Sequence, residues 1–175
     1  DNPVLPIFIF DKNILDKLSK SDARVTFIHQ TIENLKTQLN KLGTDLIVEY
    51  GSPEEIWRKL LSKFEIATVY ANHDYEPYAK ERDGDIINLL KDNGIDFRTF
   101  KDQVIFEKDE VVKSDGKPYT VFTPYFKVWQ QKLNDFYVKQ YPTKKYFKNF
   151  FNTSSSPMPS LKEMGFEDSK QIFPS

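Results

Sequence analysis

The sequence predicts an α/β protein: a three-layer, Rossmann-like parallel sheet with helices on both faces. Three observations predict it. Short, nearly continuous apolar runs alternate with longer segments whose apolar residues recur every three or four positions, the connections between them are short, and the helical segments open and close on capping residues. The resulting order is βαβαβαβ, which right-handed crossovers turn into a parallel sheet covered on both sides, not an antiparallel sandwich.

Val4-Leu5-Pro6-Ile7-Phe8-Ile9-Phe10 reads as the first strand, apolar on both faces as a buried parallel strand requires, and Asp11 ends it. Ile28, Ile32, Leu35, Leu39 and Leu42 fall at four-three-four-three spacing and predict one apolar stripe on a helix from Ala23 to Leu42, with Gly43 suited to its C′ position. Asp45 to Tyr50 is the next strand. Gly51 then turns the chain into Ser52-Pro53-Glu54-Glu55, which supplies an N-cap, an N1 proline and an N3 glutamate in order. Ile56, Leu60, Leu61 and Phe64 form the apolar face of the helix that follows, and Ile66 to Ala71 forms a third strand. A helix over Tyr78 to Lys91 buries Ile86, Leu89 and Leu90 and stops near Gly94, before an alternating strand from Asp96 to Phe100.

Beyond Phe100 the pattern loosens through Gln103-Val104-Ile105-Phe106 and a polar turn, Lys113 to Pro118, into a helix over Pro124 to Tyr137. Apolar density in Thr120 to Trp129 predicts burial of Phe122, Phe126 and Trp129. Residues 1–141 are expected to form the α/β domain. Residues 142–175, with Ser154-Ser155-Ser156-Pro157-Met158-Pro159, read as an interdomain linker.

Composition narrows the chemistry. The 175 residues are 39% hydrophobic and carry a net charge of −1, so there is material for a core but no global attraction to phosphate. Zero cysteines exclude disulfides, cysteine nucleophiles and thiolate metal sites, two histidines argue against a His-based metal centre, and a reducing cytoplasm is the expected compartment. Val4 to Phe10 is too short for a membrane span. The six glycines, at 43, 51, 84, 94, 116 and 165, assemble neither a Walker loop nor a dinucleotide fingerprint.

What remains is a cluster of polar groups at the carboxyl ends of strands, where open α/β sheets bind ligands. Asp11 follows one strand and Asn72-His73-Asp74-Tyr75-Glu76 another, while Arg24 opens a helix. Converging, Asp11, Asp74 and Glu76 would offer acceptors and Arg24 and Arg82 donors to the ring edges of a flat heteroaromatic ligand. Taken singly, Glu76, Arg82 and Asp83 read as ion pairs at a helix start, His73 as a loop hydrogen bond, and His29 as a satisfied structural histidine. Asp74 and Glu76 have neither electrophile nor metal partner for hydrolytic work. Lys139, Lys144, Lys145 and Lys148 interleave with Tyr141, Tyr146, Phe147 and Phe150, a mixture that suits either nucleic-acid contact or a linker that packs its aromatics on the domain.

Two ordered motifs, Asn72-His73-Asp74-Tyr75-Glu76-Pro77-Tyr78 with Arg82-Asp83, and Gly116-Lys117-Pro118-Tyr119-Thr120-Val121-Phe122-Thr123-Pro124 with Trp129, resemble the N-terminal domain of the photolyase/cryptochrome family. Pro3 to Asp11, the helix start at Asp22-Ala23-Arg24-Val25 and the strand order agree with it. The resemblance implies an antenna domain of a deoxyribodipyrimidine photo-lyase, a carbon–carbon lyase in which an antenna pigment passes excitation to FAD for repair of cyclobutane pyrimidine dimers. FAD sits in a separate C-terminal helical domain in that family, so dimer repair and contact with damaged DNA are expected of the full-length protein and not of this chain. Members of the family begin with a strand and a Trp-Phe-Arg-x-Asp-Leu-Arg segment that this sequence lacks. A missing first, central strand would leave its neighbours unpaired and open to self-association or to another segment.

Deazaflavin-binding members resemble this chain at Asp11, Arg24, Asp74 and Glu76, which implies a pigment-binding role for those four positions. Folate-binding members have an Asn-Glu pair where this sequence has Tyr78-Ala79, which weakens the folate assignment; the resemblance favours a deazaflavin, with FMN or folate less expected and no antenna at all as a further alternative. The alternatives are a cryptochrome photoreceptor domain and a stand-alone nucleotide- or flavin-binding α/β module.

Overall fold

A computed structural model describes residues 2–169. The chain divides into two compact units, one built from the stretch up to Ile66 together with the return from Thr143, the other from Ala67–Pro142.

In the first unit β1 (Ile7–Asp11) pairs in parallel with β2 (Ile47–Gly51), Ile7 opposite Ile47 and Asp11 opposite Gly51. The period of two sorts their side chains. Ile7, Ile9 and Ile47 pack with Ile56, Trp57 and Leu60 of α3 (Pro53–Lys63) on one face. Phe8, Phe10, Val48 and Tyr50 pack on the other with Val25, Ile32 and Leu39 of α2 (Ala23–Asn40). Both faces are covered, which is why the strands are apolar throughout. The caps expected at α3 are present, with Ser52 accepting from the Glu55 amide and its hydroxyl donating to the Glu55 carboxylate. Gly43 takes φ 79°, the left-handed turn that a side chain would strain. A four-residue helix, α1 (Lys12–Leu15), too short to show a periodicity, follows β1.

The apolar stripe on α2 differs from the one expected. Ile28, Leu35 and Leu42 are exposed, whereas Val25, Thr26, Ile32, Lys36 and Leu39 are buried. The buried face therefore carries polar members whose partners lie far along the chain. His29 stacks on Phe10 and its Nε2 lies 2.9 Å from the Pro159 carbonyl oxygen. Lys36 forms a buried ion pair with Asp45 and donates to the Leu46 carbonyl at 2.7 Å, while Asp45 also accepts from the amide and hydroxyl of Ser156 at 2.8 and 2.5 Å. Burial alone would raise the Asp45 carboxyl, but the bonds from Lys36 and Ser156 outweigh it and hold the group below its ordinary range. The stretch after Thr143 packs into this unit: a parallel bridge joins Val4 to Phe150, and Met164 and Phe166 are buried in the core beside α2.

In the second unit β3 (Thr68–Asn72) pairs in parallel with β4 (Asp96–Phe100), and α4 (Pro77–Asp92) packs against β4. Ile86, Leu89 and Leu90 are buried as expected. The four parallel strands are those the sequence predicts, but among the described residues they form two two-stranded sheets, one in each unit. The expected helix over Pro124 to Tyr137 is two, α5 (Phe122–Lys132) and α6 (Asp135–Val138), because Asn134 leaves helical backbone to cap the Phe136 amide.

Burial of Phe122 and Phe126 is not observed, and Phe122 is 71% exposed. Buried Phe106 takes the ring edges of Trp129 and Tyr137, centroids 5.7 and 4.8 Å away, while Phe122 and Phe126 stack on one another outside. No helix among the described residues is long and apolar enough to cross a membrane.

Candidate functional site

Three of the four expected site residues stand at the end of a strand or the start of a helix, and Asp74 lies in the loop between β3 and α4. Asp11, buried at the carboxyl end of β1, caps α1 by accepting from the Asn13 amide at 2.9 Å. Arg24 lies in the first turn of α2, its side chain 74% exposed, and is bonded through Nε and Nη2 to the N-cap Asp22 at 3.0 and 2.6 Å. The hydrogen bonds from Arg24 hold the Asp22 carboxyl below its usual range. Both residues belong to the first unit.

Asp74 and Glu76 belong to the second. They share one turn after β3, in which Asp74 Oδ1 accepts from the Glu76 amide at 3.1 Å. Glu76 is the N-cap of α4 but makes no side-chain capping bond, so its exposed carboxylate is not consumed by the helix end. Pro77 follows at N1. The structure thus brings Asp74 and Glu76 together in one turn, and places Asp11 and Arg24 on the other unit. Arg82 pairs with its neighbour Asp83 at 2.8 Å, the ion-pair reading of that part of the motif.

The turn is held from below through His73, which the sequence predicts as a loop hydrogen bond, and through Thr99 and Glu107, which the sequence did not single out. The His73 amide continues the β4 ladder by donating to the Phe100 carbonyl at 2.7 Å. On its ring, Nδ1 lies 2.6 Å from Glu107 Oε1 and Nε2 2.7 Å from Thr99 Oγ1. A carboxylate only accepts, so Nδ1 carries a proton, and Nε2 accepts from the Thr99 hydroxyl when the ring is neutral or donates to it when charged. Burial pushes the Glu107 carboxyl up, but the hydrogen bond and charge of His73, with Lys108 and Tyr75, bring it below its usual range. Burial, then the charge and hydrogen bond of Glu107, raise the Tyr75 phenol. Glu107 in turn opens a short 3₁₀ turn, Lys108–Glu110, with its amide bonded to Glu110 Oε2 at 2.7 Å. No local pattern announces the contact of Glu107 with the loop, since His73 and Tyr75 lie in a distant segment.

Parallel strands covered by helices, with acids on the loops at their carboxyl ends, define an open α/β protein, a class whose ligands bind outside the carboxyl ends of the strands. Comparison with known proteins narrows the class. The family description DNA photolyase matches residues 1–145, and the chain belongs to that family. A deoxyribodipyrimidine photo-lyase of Synechococcus sp. is 28% identical over 170 residues, covering 94% of this chain and 35% of the relative. A class III photolyase structure from Agrobacterium tumefaciens superposes with a TM-score of 0.65 at 27% identity, over 77% of this chain and 27% of that one. An archaeal photolyase from Sulfolobus tokodaii, solved with two FAD molecules, gives 0.55 at 29% identity, over 61% of this chain and 25% of its own. The chain spans about a third of the length of the first of these relatives.

Proposed function

We propose that this chain is the antenna-chromophore-binding α/β domain of a light-driven DNA repair photolyase. In this reading it holds a planar pigment at Asp11, Arg24, Asp74 and Glu76. The observation that carries the proposal is the Asp74–Glu76 turn. Two carboxylates leave the carboxyl end of β3 on a loop clamped through His73 to Thr99 and Glu107, and one of them makes no capping bond. Carboxylates only accept, so they suit the N–H and O–H groups on the edge of a heteroaromatic ring. On the first unit, the Arg24 guanidinium has two groups engaged by Asp22 and keeps further N–H donors of the kind a ring carbonyl or an anionic tail accepts from.

A deazaflavin is the favoured pigment, with FMN second and folate third because Tyr78-Ala79 replaces the Asn-Glu pair of folate-binding members. The two FAD molecules of the Sulfolobus tokodaii photolyase support a flavin-like ring over a folate. The pigment supplies absorption of visible light, while the residues of this chain bind it, orient it and fix its hydrogen-bonding edge. In this reading FAD, held by a further domain, would supply electron transfer to a pyrimidine dimer, and that domain would meet the damaged DNA.

The test is titration of the 175-residue chain with 8-hydroxy-5-deazaflavin and with FMN, followed by quenching of ligand fluorescence. Asp74→Asn and Glu76→Gln should each weaken binding about 10-fold or more, the effect of removing a hydrogen bond to a charged acceptor. Binding of either ring that is unchanged in both variants, or ATP bound in preference to both, would overturn the assignment.

A further inference from the structure

We infer that the 3₁₀ turn Thr143–Asn149 is a contact surface for single-stranded nucleic acid. From residue 136 to residue 162 the chain contains no Asp or Glu but five lysines, Lys139, Lys144, Lys145, Lys148 and Lys162, in a protein whose net charge is −1. Three of these, with Tyr146 between them, fall on this turn. A linker that merely packed its aromatics would bury them all, and the structure separates them instead.

Phe147 and Phe150 are half-buried and stacked, centroids 5.5 Å apart, and Phe150 packs on the core of its unit. The turn is tied down by the Val4 amide bonded to the Asn149 carbonyl and the Phe151 amide bonded to the Val4 carbonyl, each at 2.8 Å. Lys144, Lys145, Tyr146 and Lys148 are left outside, Tyr146 at 55% exposure with Lys145 Nζ 4.8 Å from its ring centroid. None of the three lysines is in an ion pair among the described residues, whereas Lys36, Lys59, Lys101, Lys108 and Lys117 all are.

Unpaired cations around an exposed ring, on a turn anchored by its other aromatics, complement a chain of phosphates that also carries stackable bases. Single-stranded nucleic acid has both, and a duplex keeps its base faces hidden. An anionic lipid surface would use the charges but not the ring face.

The surface is tested on the whole chain with fluorescently labelled (dT)12 by anisotropy at several salt concentrations. Binding should be weak, in the range of about 10–100 μM at low salt, with a log–log salt slope of about −2 for three lysines on a single strand. K144A/K145A/K148A should lose at least about ten-fold in affinity and most of the slope. Tyr146→Ala should lose about ten-fold with the slope unchanged. Circular dichroism should show all variants folded, since these side chains are exposed. Absence of binding at low salt, a triple variant that binds like the parent, or Tyr146→Ala without effect while heparin or anionic phosphatidylserine vesicles compete equally, would each overturn the inference. It is independent of the antenna reading: a chain that binds oligonucleotide but no pigment refutes only the latter, and the reverse result refutes only the former.

Discussion

Replacing Lys36 by Met should be the most damaging single change on α2. Lys36 is 6% exposed and Asp45 fully buried, and the ammonium donates to the Asp45 carboxylate, to the Leu46 carbonyl at 2.7 Å and to Ser156 Oγ at 3.3 Å. Methionine restores the stem but none of the three bonds. Asp45 would keep only its two bonds from Ser156, with a buried charge and no cation opposite. Leaving one partner of a buried pair alone costs about 3–5 kcal/mol. Folding stabilities of about 5–15 kcal/mol make that a large fraction of the total. Each unit holds one of the two tryptophans, so urea unfolding followed by Trp57 fluorescence in a Trp129→Phe background reports the unit concerned.

Two further measurements separate a charge effect from lost packing. Asp45→Asn added to Lys36→Met keeps an oxygen for Ser156 and removes the stranded charge, so most of the loss should return. The sign of the pH dependence is also fixed. In the parent, Asp45 titrates below its ordinary 3.8, so its contribution is present above that value and is lost as pH falls through the folded one. In the variant, burial without Lys36 raises the same carboxyl, and acidification relieves it. The stability gap between parent and variant should therefore shrink from pH 7 to about pH 3. A gap below about 1 kcal/mol at pH 7, no rescue by the second substitution, or a gap independent of pH would refute the reasoning.

Three other changes probe the rest of the molecule. Leu90→Ala, at a side chain with 0% exposure, should cost about 2–5 kcal/mol in urea unfolding followed by Trp129. Ser52→Ala, which removes the α3 cap bond to the Glu55 amide, should cost about 1 kcal/mol by Trp57 fluorescence. Glu107→Gln should loosen the loop carrying Asp74 and Glu76, read as faster hydrogen exchange over residues 73–76. Because Glu107 titrates below its ordinary 4.5, the parent should hold that protection above this value and lose it as pH falls through the folded one, while the variant shows no such acid window.

Much of the fold was legible because it rests on short-range regularities. Four apolar runs became four parallel strands, displaced by at most three residues; Ser52 and Gly94 mark the helix ends at which they were expected, and Gly43 closes the turn two residues past the Lys41 cap of α2. Asp74 and Glu76 were legible as acids leaving a strand. His73 was legible only as a loop histidine, because its partners Thr99 and Glu107 approach it through tertiary structure. Phe122 and Phe126 misled for the opposite reason. Apolar density predicts burial only where a neighbouring surface is available, and buried Phe106 receives Trp129 and Tyr137 instead.

The error on α2 carries a more general lesson. Thr26 accepts from the Ser169 amide, His29 meets the Pro159 carbonyl, and Lys36 reaches Ser156. These three residues share one face by helical spacing, and their partners ascend in sequence as the helix positions descend, so the returning chain runs antiparallel to α2. Beside buried Val25, Ile32 and Leu39 the face carries polar residues that fasten backbone and serines, and each bond satisfies a group that burial would otherwise penalise. A hydrophobicity pattern assigns such a face to solvent and must place the apolar stripe elsewhere, which is how Ile28, Leu35 and Leu42 came to be expected inside. The same bonds explain why a serine- and proline-rich stretch with the composition of a free linker is ordered here. Its apolar residues Met158, Leu161, Met164 and Phe166 pack on the core, and the helix it lies on adds specificity as hydrogen bonds.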